Sequence, residues 1–239
     1  MLISNNLTDL SGLHCPVPIR ILLVDENKYE SLLTKCALID LGFEVTDVVN
    51  NYSDTQAAVE KAQPEVLVIS MDADAVHSII SADKAREKNP ELGLVFLTHT
   101  PDLRLVGLSE IELPSGVQVV LKSSVTKLHV LSDAVHRSIE DLKIRAKVRW
   151  VNGASFTQSE AFTSVLQTLT EVQIQTLRLV AMGSSNSDIA RKRMVTEKAV
   201  EHTITRILQA LSITANSNHN ARVLLSREYY RWVGVAREN

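Results

Sequence analysis

The first 140 residues impose the tightest constraint on this chain. Five short apolar runs rich in Val, Ile and Leu are set apart by helix-length segments. The runs cover residues 20–24 (RILLV), 44–49 (EVTDVV), 66–69 (VLVI), 93–97 (GLVFL) and 117–121 (VQVVL). The segments between them have a different period. Leu32, Leu33, Cys36 and Ile39 recur at helical spacing, and Gly42 follows as a stop. Ser53 and Gln56 read as a capping box opening a helix to about Ala62. Residues 76–88 are helical, and a long helix starts near Ser124 and runs toward Arg149. Strands alternating with helices predict an α/β fold with a doubly wound, parallel, five-stranded sheet. Between Pro101 and Gly116 the helical periodicity is weak and Pro114 intervenes, so the helix expected there is short or irregular.

Functional groups in such sheets gather at the C-terminal strand ends. The first strand leads into Asp25 and Glu26, the third ends on Ser70, the fourth on Thr98 and the fifth on Lys122. Two acids, a hydroxyl and a lysine around a central strand resemble the receiver domain of two-component response regulators. The resemblance covers residues 19–140, and the last helix reaches toward 149. It implies that Asp25 and Glu26 correspond to an acidic pair that holds Mg²⁺, while Thr98 and Lys122 contact a phosphoryl group. The same resemblance asks for an aspartate acceptor where this chain has Ser70. A neutral hydroxyl cannot act as both acceptor and metal ligand in place of a carboxylate. No cofactor is therefore expected, with at most a weak Mg²⁺ at Asp25 and Glu26. Asp72 and Asp74 follow closely, but a shift of two residues along a strand moves a side chain by about 6–7 Å. That distance argues against either as a substitute acceptor. His77 reads as a helix-surface residue, and no G-x-S-x-G elbow surrounds Ser70.

Residues 141–150 (DLKIRAKVRW) read as a basic, solvated end of the last receiver helix, and residues 150–165 have the polar composition of a linker. Beyond it the strands cease. Ile174, Leu177, Val180 and Ala181 share one helical face and Gly183 ends it. Ser185 to Asp188 has capping-box spacing and opens a short helix, and Val195 reads as an apolar plug in the following turn. Thr196 caps a longer helix with Val200, Ile204, Ile207, Leu208 and Leu211 inward. Two capped helices across a short turn have the helix-turn-helix layout.

The order LT, L-x-L-V-A-x-G-x-S-N-x-x-I-A, V-T-E-K-A-V resembles the all-α, four-helix DNA-binding domain of the LuxR/FixJ/NarL response regulators over residues 166–233. The turn NSNHN (216–220) and a segment containing Tyr229, Tyr230 and Trp232 supply its fourth helix. The resemblance implies base contacts from Glu201, His202 and Thr205. Arg206 has suitable chemistry for guanine. Arg191, Lys192, Arg193, Thr196 and Lys198 are placed to meet phosphates. Charge agrees: residues 1–150 carry 15 basic and 21 acidic side chains (−6), whereas residues 151–239 carry 10 and 7 (+3).

The predicted protein is a cytoplasmic, non-enzymatic transcription regulator that acts on double-stranded DNA without phosphorylation. It is expected to be a homodimer or to pair with another regulator. The alternatives are a protein–protein adaptor and a ligand-sensing receiver pocket. No apolar run approaches a membrane span. Cys15 and Cys36 form no metal motif, and Cys36 reads as a buried thiol.

Overall fold

The computed structural model describes residues 17–72, 74–151, 165–214 and 220–233. Cys15, most of the linker and residues 216–219 of the NSNHN turn lie outside the described residues. The first domain is built on strands β1 (Arg20–Val24), β2 (Glu44–Val49), β3 (Val66–Ser70), β4 (Gly93–Thr98), β5 (Gln118–Leu121) and β6 (Arg149–Val151). All pair in parallel in the order β2-β1-β3-β4-β5-β6. Strands β3, β4 and β5 are buried along their whole length. That explains their unbroken apolar text, because helices cover both faces of a parallel sheet. The helices are α1 (Lys28–Asp40), α2 (Thr55–Ala62), α3 (Ala75–Lys88) and α4 (His129–Lys143).

The sixth strand corrects the predicted five. The helix expected to continue toward Arg149 ends at Lys143, and Arg145 takes a left-handed φ of 48°. The chain then returns beside β5, with Arg149 N–H donating to the Val117 carbonyl at 3.0 Å. The basic stretch is therefore a turn and an edge strand rather than a solvated helix end. The Arg149 guanidinium bonds Asp141 at 3.0 Å and the Trp150 indole N–H bonds Glu110 at 2.6 Å.

Three local readings also change. Helix α1 forms as expected, but Leu32, Leu33, Cys36 and Ile39 face outward. Ser31 and Leu38 are its buried residues. A small hydroxyl fits under the sheet edge where Ser31 meets Asn50. Cys36 is thus exposed, not a buried thiol. Asn51, not Ser53, caps the turn before α2. Val195 is exposed rather than a plug. The irregular segment after β4 consists of two 3₁₀ turns, Leu103–Val106 and Glu110–Glu112.

The second domain contains α5 (Glu171–Ala181), α6 (Asn186–Arg193), α7 (Glu197–Ala210) and α8 (Ala221–Trp232), preceded by a helical turn at 165–168. Thr170, Ser185, Thr196 and Asn220 cap the four helices through side-chain oxygens. Ile174, Leu177, Ile189, Val200, Ile207 and Trp232 are among its core residues. Leu105, from the first 3₁₀ turn of the receiver-like domain, is fully buried in that same core. Arg104, held by Asp102, donates to the carbonyls of Leu166 and Leu169, and the Tyr229 hydroxyl donates to the Leu105 carbonyl at 2.7 Å. The two domains are joined through this turn.

Candidate functional site: a strand-end pocket and a nucleic-acid face

Parallel strands deliver Asp25, Ser70, Thr98 and Lys122 to one edge of the sheet, and all but Lys122 are almost fully buried. Lys122 Nζ donates to Ser70 Oγ at 3.1 Å and stands 2.7 Å from Asp72 Oδ2 and 3.7 Å from Asp25 Oδ2. It also pairs with Glu30. Burial works against the Lys122 charge. Asp72, Glu30 and Asp25 together outweigh it and hold the ammonium above an ordinary lysine. Burial raises the Asp25 carboxyl, with Lys122 opposing.

Asp72 changes the reading of this pocket. A straight strand would carry its carboxylate away from Lys122. However, β3 ends at Ser70, Met71 N–H makes one more bond to the Leu97 carbonyl, and the chain bends at Asp72. Its carboxylate folds back over the sheet edge. Oδ1 accepts from Thr98 Oγ1 at 3.2 Å and from the His99 N–H at 2.7 Å, while Oδ2 takes Lys122. The spacing argument against Asp72 fails for that reason. Asp74 does not join, because it caps α3 through the His77 N–H and pairs with the His77 ring.

Glu26 is exposed and makes no hydrogen bond or ion pair among the described residues. The second acid of the pocket is Glu30, in the first turn of α1 and bonded by the Asn27 side chain. Sequence reading missed Glu30 and His99. The helix cap at Asn27 with an acid three residues on was the available signal for Glu30.

In the second domain, Lys198, Glu201, His202, Thr205, Arg206 and Gln209 are exposed on one side of α7, while Val200, Ile204 and Ile207 face α5 and α6. Thr196 caps α7 through the Ala199 N–H, and Thr205 Oγ1 donates back to the Glu201 carbonyl. Lys192 is exposed and Arg191 pairs with Asp188. Arg193 is half-buried and donates to Thr176 Oγ1 at 2.8 Å, so one of the three basic residues expected at phosphate also braces α6 against α5.

Comparison with known proteins agrees with this two-part architecture. The response regulator protein VraR of Staphylococcus saprophyticus subsp. saprophyticus is 23% identical over 206 residues, covering 82% of this chain and 92% of that protein. A structure of two RcsB dimers bound to two parallel DNAs matches with a TM-score of 0.53 at 15% identity. That match covers 91% of this chain and the whole of the RcsB chain, a likeness that shows the fold. No family model matches the chain. The similarity to that response regulator runs through both parts of the chain. Among the described residues no helix is long and apolar enough to cross a membrane.

Proposed function

We propose that the protein is a cytoplasmic transcription regulator that binds double-stranded DNA through α7 as a dimer and needs no phosphorylation to do so. The exposed outer side of a capped, well-packed α7 carries this reading. Its basic and hydrogen-bonding side chains match base edges and phosphates, and its inward residues are committed to the core. The RcsB relative is seen on DNA as dimers, which supports both parts. Arg206, His202, Thr205 and Glu201 are assigned to bases, and Lys198, Thr196, Lys192, Arg191 and Arg193 to the backbone.

The serine at the end of β3 supports independence from phosphorylation. Ser70 is a poor phosphoryl acceptor, and the Asp72 carboxylate, which Lys122 and Thr98 hold, is tested as an acceptor by intact mass after acetyl phosphate, with Asp72→Asn as control. A single domain makes few base contacts, so paired half-sites and a dimer are expected. The exposed apolar stripe of α1 (Tyr29, Leu32, Leu33, Cys36, Ile39) is the surface assigned to the second copy.

The test is a gel shift on genomic fragments without phosphodonor, with His202→Ala and Arg206→Ala as controls. Salt-sensitive binding lost in those variants supports direct readout. No binding at low salt refutes it. One observation favours a ligand-responsive version of the same regulator. A cavity of about 200 Å³ lies between the domains, lined by Met71, Asp72, Leu103, Met182, Tyr229 and Tyr230 among others.

A further inference from the structure

Glu30, Asp72 and His99 each turn one ligand atom toward a common point, with all three atoms within 4.8 Å of one another. His99 Nε2 lies 3.6 Å from Glu30 Oε1 and 3.8 Å from Asp72 Oδ2. Two ligands of a tetrahedral zinc-type ion, each bonded at about 2.0–2.1 Å, stand about 3.4 Å apart. His99 Nε2 therefore stands within a few tenths of an ångström of that spacing from each carboxylate.

A second, independent observation concerns Asp25. It is 2% exposed, and its Oδ2 has no hydrogen-bond partner although it faces Lys122 Nζ at 3.7 Å. Lys122 now leans on Glu30 and Asp72, leaving that buried oxygen short of a donor. Asp25, Glu30 and Asp72 set three carboxyl groups against the single Lys122 ammonium, an acidic excess. A divalent cation offsets that excess.

We propose that Glu30, Asp72 and His99 bind a divalent transition-metal ion of the zinc type. On binding, Lys122 swings from Glu30 and Asp72 onto the orphaned Asp25 Oδ2. The imidazole donor sets the preference, since Mg²⁺ favours all-oxygen coordination whereas zinc, cobalt and nickel accept nitrogen readily. The site differs from the Mg²⁺ position implied by an acidic pair at the end of β1, because Glu26 takes no part and His99 does. Asp72 also lines the interdomain cavity.

The experiment uses the full chain stripped with a chelator. Zn²⁺ is titrated by calorimetry, and Co²⁺ is followed by its visible absorption bands, with Mg²⁺ as competitor. One ion per chain is expected, with Co²⁺ bands indicating nitrogen and oxygen ligands. His99→Ala and Glu30→Gln should each weaken binding by about ten-fold or more. Asp25→Asn should weaken it as well, because Lys122 loses its alternative partner. Circular dichroism of each variant confirms retained fold, which is expected because neither His99 nor Glu30 is buried. Three outcomes overturn the proposal. They are no binding at about 100 μM Zn²⁺, unchanged binding in folded His99→Ala and Glu30→Gln, or equal competition by Mg²⁺.

Discussion

Leu105→Ala probes how the two domains are held together. Leu105 belongs to the chain of the receiver-like domain, yet its side chain is fully buried in the core of the second. Removing three of its four side-chain carbons costs about 2–5 kcal/mol at a typical core site. The neighbouring backbone is pinned by Arg104 on Leu166 and Leu169 and by the Tyr229 hydroxyl, so little collapse into the void is available. That places the cost above the lower bound. Two outcomes share this energy: the whole chain loses stability, or the domains part while each stays folded. Even 2 kcal/mol shifts the docking equilibrium by about thirty-fold. Hydrogen exchange read by mass spectrometry separates the cases. The expected result is faster exchange in segments 103–106 and 221–232, with β1, β3 and β4 still protected. Ile111→Ala is the control, since Ile111 is 94% exposed in the next 3₁₀ turn. Its effect should stay within about 0.5 kcal/mol. If Leu105→Ala matches that control in both exchange and melting temperature, the interdomain plug does not exist.

Other perturbations have defined outcomes. Gly116→Ala places a Cβ 2.7 Å from the Leu142 backbone at a φ of 71°. Rigid backbone cannot yield there, so melting should show a loss above about 2 kcal/mol. Asp74 caps α3, and its hydrogen bonds to the His77 N–H and ring hold its carboxyl below the usual range. Its stabilisation is present above the unfolded carboxyl value and fades as pH falls through the folded one. Asp74→Ala should therefore cost about 1 kcal/mol at neutral pH and little in strong acid, as urea titrations at several pH values can show. Cys36 lies within the exposed stripe of α1. If that stripe meets a second copy, a short bis-maleimide should give a cross-linked dimer that Cys36→Ser abolishes. Gel filtration should show monomers for Leu32→Glu.

Much of this was legible because periodicity records burial. The unbroken apolar runs of β1, β3, β4 and β5 and the caps at Ser185 and Thr196 follow from local chemistry that holds wherever the elements pack. Helix α1 shows the limit of that rule. Its Leu32–Ile39 repeat has helical spacing, but spacing gives a face without saying what it faces, and here small Ser31 turns to the sheet edge. Strand β6 was hidden because three residues after a basic run carry no period. In the pocket, Asp25, Ser70, Thr98 and Lys122 were legible as strand ends. Asp72 was not, because its reach depends on a bend after Met71 that strand geometry does not anticipate. Glu30 and His99 come from a helix turn and a loop, where position in the chain says little about proximity.

If α7 reads DNA with the receiver-like pocket unphosphorylated, binding needs no phosphodonor. The most direct measurement is selection of bound genomic fragments by the purified, phosphate-donor-free protein, followed by anisotropy on the recovered site across a salt series. A common sequence in paired half-sites should emerge. Its binding should weaken steeply with salt, stay unchanged by acetyl phosphate, and fall by about 1–3 kcal/mol with Arg206→Ala. Recovery of no common sequence, or binding that appears only after acetyl phosphate is added, would contradict it.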